Sequence, residues 1–303
     1  MPKTLTRSVL LAFGALISVS AAYAQAPAAP RGFSPAGPLT VTPLSPTVYW
    51  GKGAGGNFGF IVGDKGVIVI DATISAASAK ELLADIAKVT PKPVTTVILT
   101  HRDIDHVGGL AGFPSGIEVI AQENTQKAMA AGVAAGHSPV PADRLPNHTV
   151  ATREDTQLDG VKVELLHWAP AHTDGDLVIY LPEQRIVFTG DIFCLDQPRA
   201  LIHLEEQGSS SGWITTADGV LGLDADRFVV GHGDVQTKAG IQDRVNLVTG
   251  EKKQIESLVA QGKTLAEVET IVGDPPKTDA PAAPGPHFAP FAEVVYQELT
   301  TPK

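Results

Sequence analysis

The chain has 303 residues, 43% of them apolar, which is enough to bury a large core and excludes an intrinsically disordered protein. Its formal charge of −10 excludes the strongly basic face that nucleic-acid binding needs. Cys194 is the single cysteine, so neither an intramolecular disulfide nor a cysteine-built zinc site is expected, and any metal must be held by histidine and carboxylate.

The N terminus has the layout of a secretory leader. Lys3 and Arg7 form a basic start, Ser8 to Val19 is a short apolar run, and Ala22-Tyr23-Ala24 is a small-residue cleavage site. The run is short for a bilayer span, so residues 1–24 are expected to be cut off after Ala24, leaving a periplasmic or secreted protein with no stable membrane anchor. Loss of Lys3 and Arg7 takes the formal charge from −10 to −12. Residues 25–38, rich in Ala, Pro and Gly, read as a flexible tether, and the folded domain is expected over 39–303.

Val48 to Gly51, Phe58 to Val62 and Val67 to Ile70 read as strands, with Gly53 to Gly56 as a flexible loop. Leu82, Leu83 and Ile86 recur at helical spacing in Ala76 to Lys88, which Pro91 and Pro93 close. Val94 to Leu99 is a buried strand, Glu118 to Ala121 a shorter one, and Glu123 to Ala135 a helix. The second half repeats the theme with strands Val161 to His167, Leu177 to Tyr180, Ile186 to Phe188 and Phe228 to Val230. Helices are expected over Trp213 to Leu221, Ile241 to Val259, Leu265 to Val272 and Phe291 to Leu299, the last after a Pro- and Ala-rich crossing at 273–289. Two strand sets with outer helices predict two sheets packed face to face inside helices.

The chemistry concentrates in Thr100-His101-Arg102-Asp103-Ile104-Asp105-His106-Val107-Gly108-Gly109, directly after a buried strand. Four potential ligands fall within six residues, and in an extended turn His101 and Asp103 can point one way while Asp105 and His106 serve a neighbouring position. One His or Asp alone reads as turn polarity; four together point to zinc, manganese or iron. Gly108 and Gly109 permit close backbone approach. Three later segments place further donors at strand ends: His172 in Pro170 to Asp176, Asp191 after Gly190, and His232 between Gly231 and Gly233.

This ordered set resembles the metallo-β-lactamase-fold hydrolase superfamily, with the likeness running from about Leu39 to the end. The family order is an H-x-H-x-D-H motif, an isolated His, a bridging Asp and a final His, and the positions here are His101, Asp103, Asp105, His106, His172, Asp191 and His232. Asn57 and Asp71 also stand where the family has a glycine-flanked Asn and a strand-terminal Asp. The resemblance implies an α/β four-layer αββα sandwich of two mixed sheets flanked by helices. It also implies two divalent metal ions, zinc foremost with iron or manganese as alternatives: one held by His101, Asp103 and His172, the other by Asp105, His106 and His232, with Asp191 bridging. Asp103 departs from the pattern, standing where the family has a second histidine; flavodiiron proteins of this fold carry Glu there and bind iron.

The activity so implied is hydrolysis of an ester, lactone, amide or related bond in a small molecule by a metal-bridging hydroxide, with Asp105 as the catalytic carboxylate orienting it. A carboxylate at Asp191 looks more like the glyoxalase II and lactonase branches than the β-lactamases, which have Cys or Ser there. An iron-dependent oxidoreductase, motivated by Asp103, is the reading from another class, and a non-catalytic binding protein the third. Arg199 and His203 lie in the loop 192–208 that the family folds over its metals and are expected to touch substrate. Arg102, Asp196 and His167 read as supporting groups, Cys194 as a small buried residue, and His137, His148 and His287 as solvated loop histidines.

Overall fold

The first sheet is built from β1 (Thr40–Pro43), β2 (Val48–Ala54), β3 (Gly56–Val62), β4 (Val67–Ile70), β5 (Val94–Ile98), β6 (Glu118–Gln122) and β7 (His148–Val150), which neighbour one another in that order. Pairing is antiparallel as far as β4 and parallel from β4 to β7. The second sheet contains β8 (Arg153–Leu158), β9 (Val161–Leu166), β10 (Val178–Leu181), β11 (Ile186–Cys194) and β12 (Arg227–His232), with only β11 and β12 parallel. These elements come from a computed structural model that describes residues 38–274 and 288–301. The expected leader 1–24, nearly all of the tether 25–38, most of the crossing 273–289, and His287 lie outside the described residues.

Side chains alternate across each strand and thereby sort the core into three layers. Ile68 and Ile70 of β4 face inward and meet Ile179, Leu181 and Phe188 between the sheets. Val67 and Val69 face outward and join Leu82 and Ile86 of α1 (Ala76–Val89). The opposite outer layer packs Val187 and Val230 against Trp213 of α4 (Ser210–Gly222) and Val245 of α5 (Lys238–Ala260). Full burial of each such aliphatic side chain is worth about 1.5–3 kcal/mol. Two mixed sheets face to face with helices outside form the expected four-layer αββα sandwich. The remaining helices are α2 (Ile104–Val107), α3 (Glu123–Ala134), α6 (Leu265–Val272) and α7 (Phe291–Thr300). Among the described residues, no helix is long and apolar enough to cross a membrane.

Three local expectations are corrected. β1, β7 and β8 are strands that the sequence pattern did not announce; β8 is an edge strand whose residues Arg153, Asp155 and Gln157 face water, so apolar alternation is weak. Gly53 to Gly56 is no free loop, because Ala54 pairs with Gly56 and closes a β2–β3 hairpin. β11 runs on past Phe188 to Cys194, so Asp191 lies within the strand. Register shifts on both sides of Gly190, whose φ is +52°, bend the strand and re-aim Asp191.

Candidate metal centre

The structure brings all seven expected ligands to one end of the sandwich. The first sheet supplies His101 and Asp103 from the segment after β5, and Asp105 and His106 from α2; the second supplies His172 from the loop after β9, Asp191 from β11 and His232 from β12. They divide into two groups, His101-Asp103-His172-Asp191 and Asp105-His106-His232, each with donor atoms within 4.8 Å of one another. In the first, Asp103 Oδ2 lies 3.2 Å from His172 Nε2 and 3.7 Å from His101 Nε2. In the second, Asp105 Oδ2 lies 3.1 Å from His232 Nε2 and 3.7 Å from His106 Nε2.

Asp191 joins the two. One oxygen lies 3.8 Å from His101 Nε2, 3.9 Å from His172 Nε2 and 3.3 Å from His232 Nε2, while the other is 3.1 Å from His106 Nε2.

Each inner histidine is oriented by a partner on its far nitrogen. His106 Nδ1 lies 2.8 Å from Asp71 Oδ2, and His172 Nδ1 lies 3.0 Å from the Leu201 carbonyl. These acceptors assign the ring proton to Nδ1 and turn the Nε2 lone pair toward the cluster. His101 follows by the same count. The Thr100 hydroxyl donates its one hydrogen to Asp71, so at 2.9 Å it accepts from His101 Nδ1. His232 is held more loosely, with Asp196 at 3.9 Å from its Nδ1.

Buried polar atoms are ordinarily paired, yet His101 Nε2, His106 Nε2 and Asp191 Oδ1 have no hydrogen-bond partner among the described residues. Three imidazole lone pairs and three carboxylates converging on such atoms are the donor chemistry of borderline divalent ions, so the residues present fit a metal. Electrostatics agrees. Burial works to lower His172 and His232, but the carboxylates beside them, Asp103 and Asp191 for His172, Asp191 and Asp105 for His232, push each up to about 10. Burial likewise works to raise Asp103 and Asp191, but the neighbouring histidines hold both below the usual carboxylate range. His101, in contrast, is lowered by burial and by its neighbour His106. Protons here stand in for cations, and a bound metal would displace them.

The surrounding chain is shaped for the cluster. A Cβ on Gly56 would lie 2.3 Å from His106 Nε2, and one on Gly231 would lie 1.9 Å from Asp191 Oδ1, so both positions require glycine. Gly108 and Gly109 let their turn close onto the loop after β4, where a Cβ would strike the carbonyls of Ile74 and Ala72. Asp176 accepts from the Thr173 amide and hydroxyl and fixes the bend that carries His172. Asn57 donates to the carbonyls of Val230 and Gly233 at 2.7 and 2.8 Å, tying β3 to both sides of His232.

Of the two expected substrate contacts, His203 faces the site. Its ring lies edge-on to His172 and Phe288. Arg199 does not. Its guanidinium binds Glu251 of α5, Asp274 at 2.8 Å and the Val272 carbonyl at 2.7 Å, so it braces helices rather than substrate. Arg102 supports the site through Asp174 and Glu206, both at 2.7 Å, and His167 donates to the Asp176 carbonyl. His148 is corrected from a solvated loop position to a β7 residue bridging Glu118 and Glu154 at 3.0 and 2.9 Å. Cys194 is buried as expected, but its sulfur comes close enough to Asp191 and His232 to be grouped with them. Burial pushes its thiol up, so it stays protonated. Glu206, Gly56 and Gly231 are site residues that the sequence reading missed.

Comparison with known proteins bears on this geometry. The profile described as "Metallo-beta-lactamase superfamily" matches residues 51–232. The chain belongs to the metallo-beta-lactamase superfamily. The 2,4-dinitroanisole O-demethylase subunit alpha of Nocardioides sp. (strain JS1661) is similar to it, 31% identical over 174 residues that make up 57% of this chain and 51% of that protein. The linear primary-alkylsulfatase of Pseudomonas sp. (strain ATCC 19151) is 25% identical over 42% of this chain and 31% of its own length. The type 2 metallo-beta-lactamase of Bacillus cereus is 25% identical over 56% and 64%. The chain thus spans about half or less of the first two relatives. Among solved structures, a stereoselective inverting sec-alkylsulfatase from Pseudomonas sp. superposes with a TM-score of 0.67, 19% identity, and coverage of 88% of this chain and 50% of that one. A metallo-beta-lactamase from Pontibacter korlensis superposes with a TM-score of 0.58, 21% identity, and coverage of 70% and 99%. These two share the fold. The superfamily assignment accords with a His and Asp cluster able to hold metal ions.

Proposed function

We propose that this protein is a binuclear metallohydrolase that cleaves an ester, lactone, amide or related bond in a small molecule. The observation that carries the reading is the Asp191 carboxylate, one oxygen of which reaches histidines of both ligand groups while the other faces His106. His101, Asp103 and His172 would hold one ion and Asp105, His106 and His232 the other. Bound there, divalent ions supply Lewis acidity and a water of lowered pKa, with zinc the first expectation.

The chain's own residues define the rest. His101, His106 and His172 are fully buried, whereas the His232 side chain is 21% exposed, so substrate approaches from the His232 side. Asp105, buried beneath His232, accepts a hydrogen bond from the attacking water and orients it. Cys194 is buried, and the attacking group is taken to come from solvent. The acidic charge of the chain supports a small molecule, rather than a nucleic acid, as the site's partner.

The test is metal analysis joined to turnover on an aryl ester, a lactone, nitrocefin, an alkyl sulfate and an aryl methyl ether. Zinc near two equivalents with chelator-sensitive cleavage supports the reading; turnover that survives full metal removal rejects it. Asp191 in place of the β-lactamases' Cys or Ser predicts poor nitrocefin turnover. A second reading rests on Asp103, which gives the first group two histidines and a carboxylate, a set also used by non-haem iron enzymes. Bound iron with a redox-active spectrum would select it. The leader pattern supports export, which mass measurement of a mature protein beginning at Gln25 checks.

A further inference from the structure

Asp103 has neighbours outside the central cluster. Asp103, His203 and Glu206 each present a donor atom within 4.8 Å of the other two. Among the described residues His203 Nε2 is buried without a hydrogen-bond partner, 3.9 Å from Asp103 Oδ2, and His203 Nδ1 lies 4.0 Å from Glu206 Oε1. Both separations exceed a hydrogen bond. His148 is the internal contrast: it also stands between two carboxylates, but at 3.0 and 2.9 Å it satisfies both. The trio at Asp103 faces a common gap that its own members leave unclosed.

The backbone fixes this gap in place. The His203 amide donates to the His172 carbonyl at 2.8 Å, and the Asp174 amide donates to the Glu206 carbonyl at 2.9 Å, so the turn Leu204–Glu206 is tied at both ends to the loop bearing His172. Behind it, the single positive charge of Arg102 is shared by Glu206 and Asp174. Two carboxylates thus face one guanidinium there. A carboxylate has two oxygens with free lone pairs and can serve two cations at once, which an imidazole with one free nitrogen cannot. The residue that breaks the family's H-x-H pattern thereby acquires a use.

We propose that Asp103, His203 and Glu206 form a third divalent-cation position, sharing the Asp103 carboxylate with the first metal group. The inference rests on the metal-centre reading of the central cluster. Nitrogen and oxygen donors suit Zn²⁺, Mn²⁺ or Fe²⁺. With Asp103 shared and Glu206 already bound to Arg102, this ion is held more weakly than the central pair, and its occupancy follows the free metal concentration.

The test uses the full chain, stripped and titrated with zinc by calorimetry, with anomalous diffraction from zinc-loaded crystals. Wild type, His203→Gln and Glu206→Gln are compared, with His106→Ala as the reference for the central pair. Wild type is expected to take two tight equivalents and one weaker one, with a third anomalous peak between Asp103, His203 and Glu206. His203→Gln and Glu206→Gln should keep the tight equivalents and weaken the third by more than the roughly 10–100-fold that loss of an outer partner costs. His106→Ala should lose a tight equivalent and keep the weak one. Saturation of wild type at two equivalents overturns the proposal and leaves the central centre standing. Weakening of a tight equivalent in His203→Gln, with no weak class to lose, also overturns it and makes His203 a support of the first group. Absence of any tight binding in wild type rejects both readings.

Discussion

Asp71 Oδ2 accepts a hydrogen bond from His106 Nδ1 at 2.8 Å while Asp71 Oδ1 accepts from the Thr100 amide at the same distance. One carboxylate therefore orients a ligand directly and, through Thr100, a second ligand, His101. Replacing Asp71 with Asn places an amide N–H against a ring that must donate, or presents a weaker acceptor. Zinc affinity is expected to fall about 10–100-fold, read by competition with a chromophoric chelator. Unchanged affinity would detach Asp71 from the centre.

Loss of a ligand should cost more than loss of its support. Asp191→Asn and His172→Ala are expected to reduce turnover on whichever substrate is found beyond the about 100-fold upper end for an outer partner. Asp191→Asn, which touches both groups, should also lower metal stoichiometry in both. Selective loss from one group alone would argue against a bridge.

The metal-free and metal-loaded chains should respond differently to pH. His172 and His232 are raised to about 10 in the folded chain from an ordinary 6.5, so their contribution to metal-free stability is full below about pH 6.5 and is lost as pH rises toward about 10. Metal, which must displace those protons, binds better over the same interval. Asp103 and Asp191 act in acid and lie outside this window. The rise in melting temperature on adding zinc is expected to be larger at about pH 9 than at about pH 6. A flat response would contradict the assignment.

Gly231→Ala inserts a methyl where the Asp191 carboxylate stands. Overpacking of a buried site costs about 1–3 kcal/mol, and the displaced carboxylate should lose metal as well. Chemical denaturation and zinc content on one preparation measure the two effects together.

Arg199→Ala should act on stability and spare the Michaelis constant. It leaves Glu251 and the buried Asp274 without their cation, at about 3 kcal/mol or more. Asp274 also accepts from the Ala292 amide, so α7 is expected to loosen first, visible as faster hydrogen exchange there.

Sequence reading reached the seven residues that the structure gathers because four stand in one dense motif and the order of His172, Asp191 and His232 follows the family pattern, although Asp191 lies inside β11 rather than at its end. It failed where position depends on long-range closure. Nothing local in Leu204 to Glu206 says that this turn lies over the His172 loop, since the decisive bonds join residues about thirty apart in the chain, as between His203 and His172. Arg199 went astray for the same reason: its partners come from α5 and from the segment after α6. The glycines were legible as turn formers, but that Gly56 and Gly231 make room for ligand atoms follows only once both sheets are folded. β8 escaped because an edge strand written in Arg, Glu, Asp and Gln carries charge where an inner strand carries Val and Ile.

Asn57 leaves one further consequence. Its side chain pins β3 of one sheet to the carbonyls on either side of His232 in the other, using only amide hydrogen bonds. The two halves of the ligand shell are thus held in register by the polypeptide itself. Alignment of the ligand residues from the two sheets therefore draws on polypeptide contacts as well as on any ion they hold.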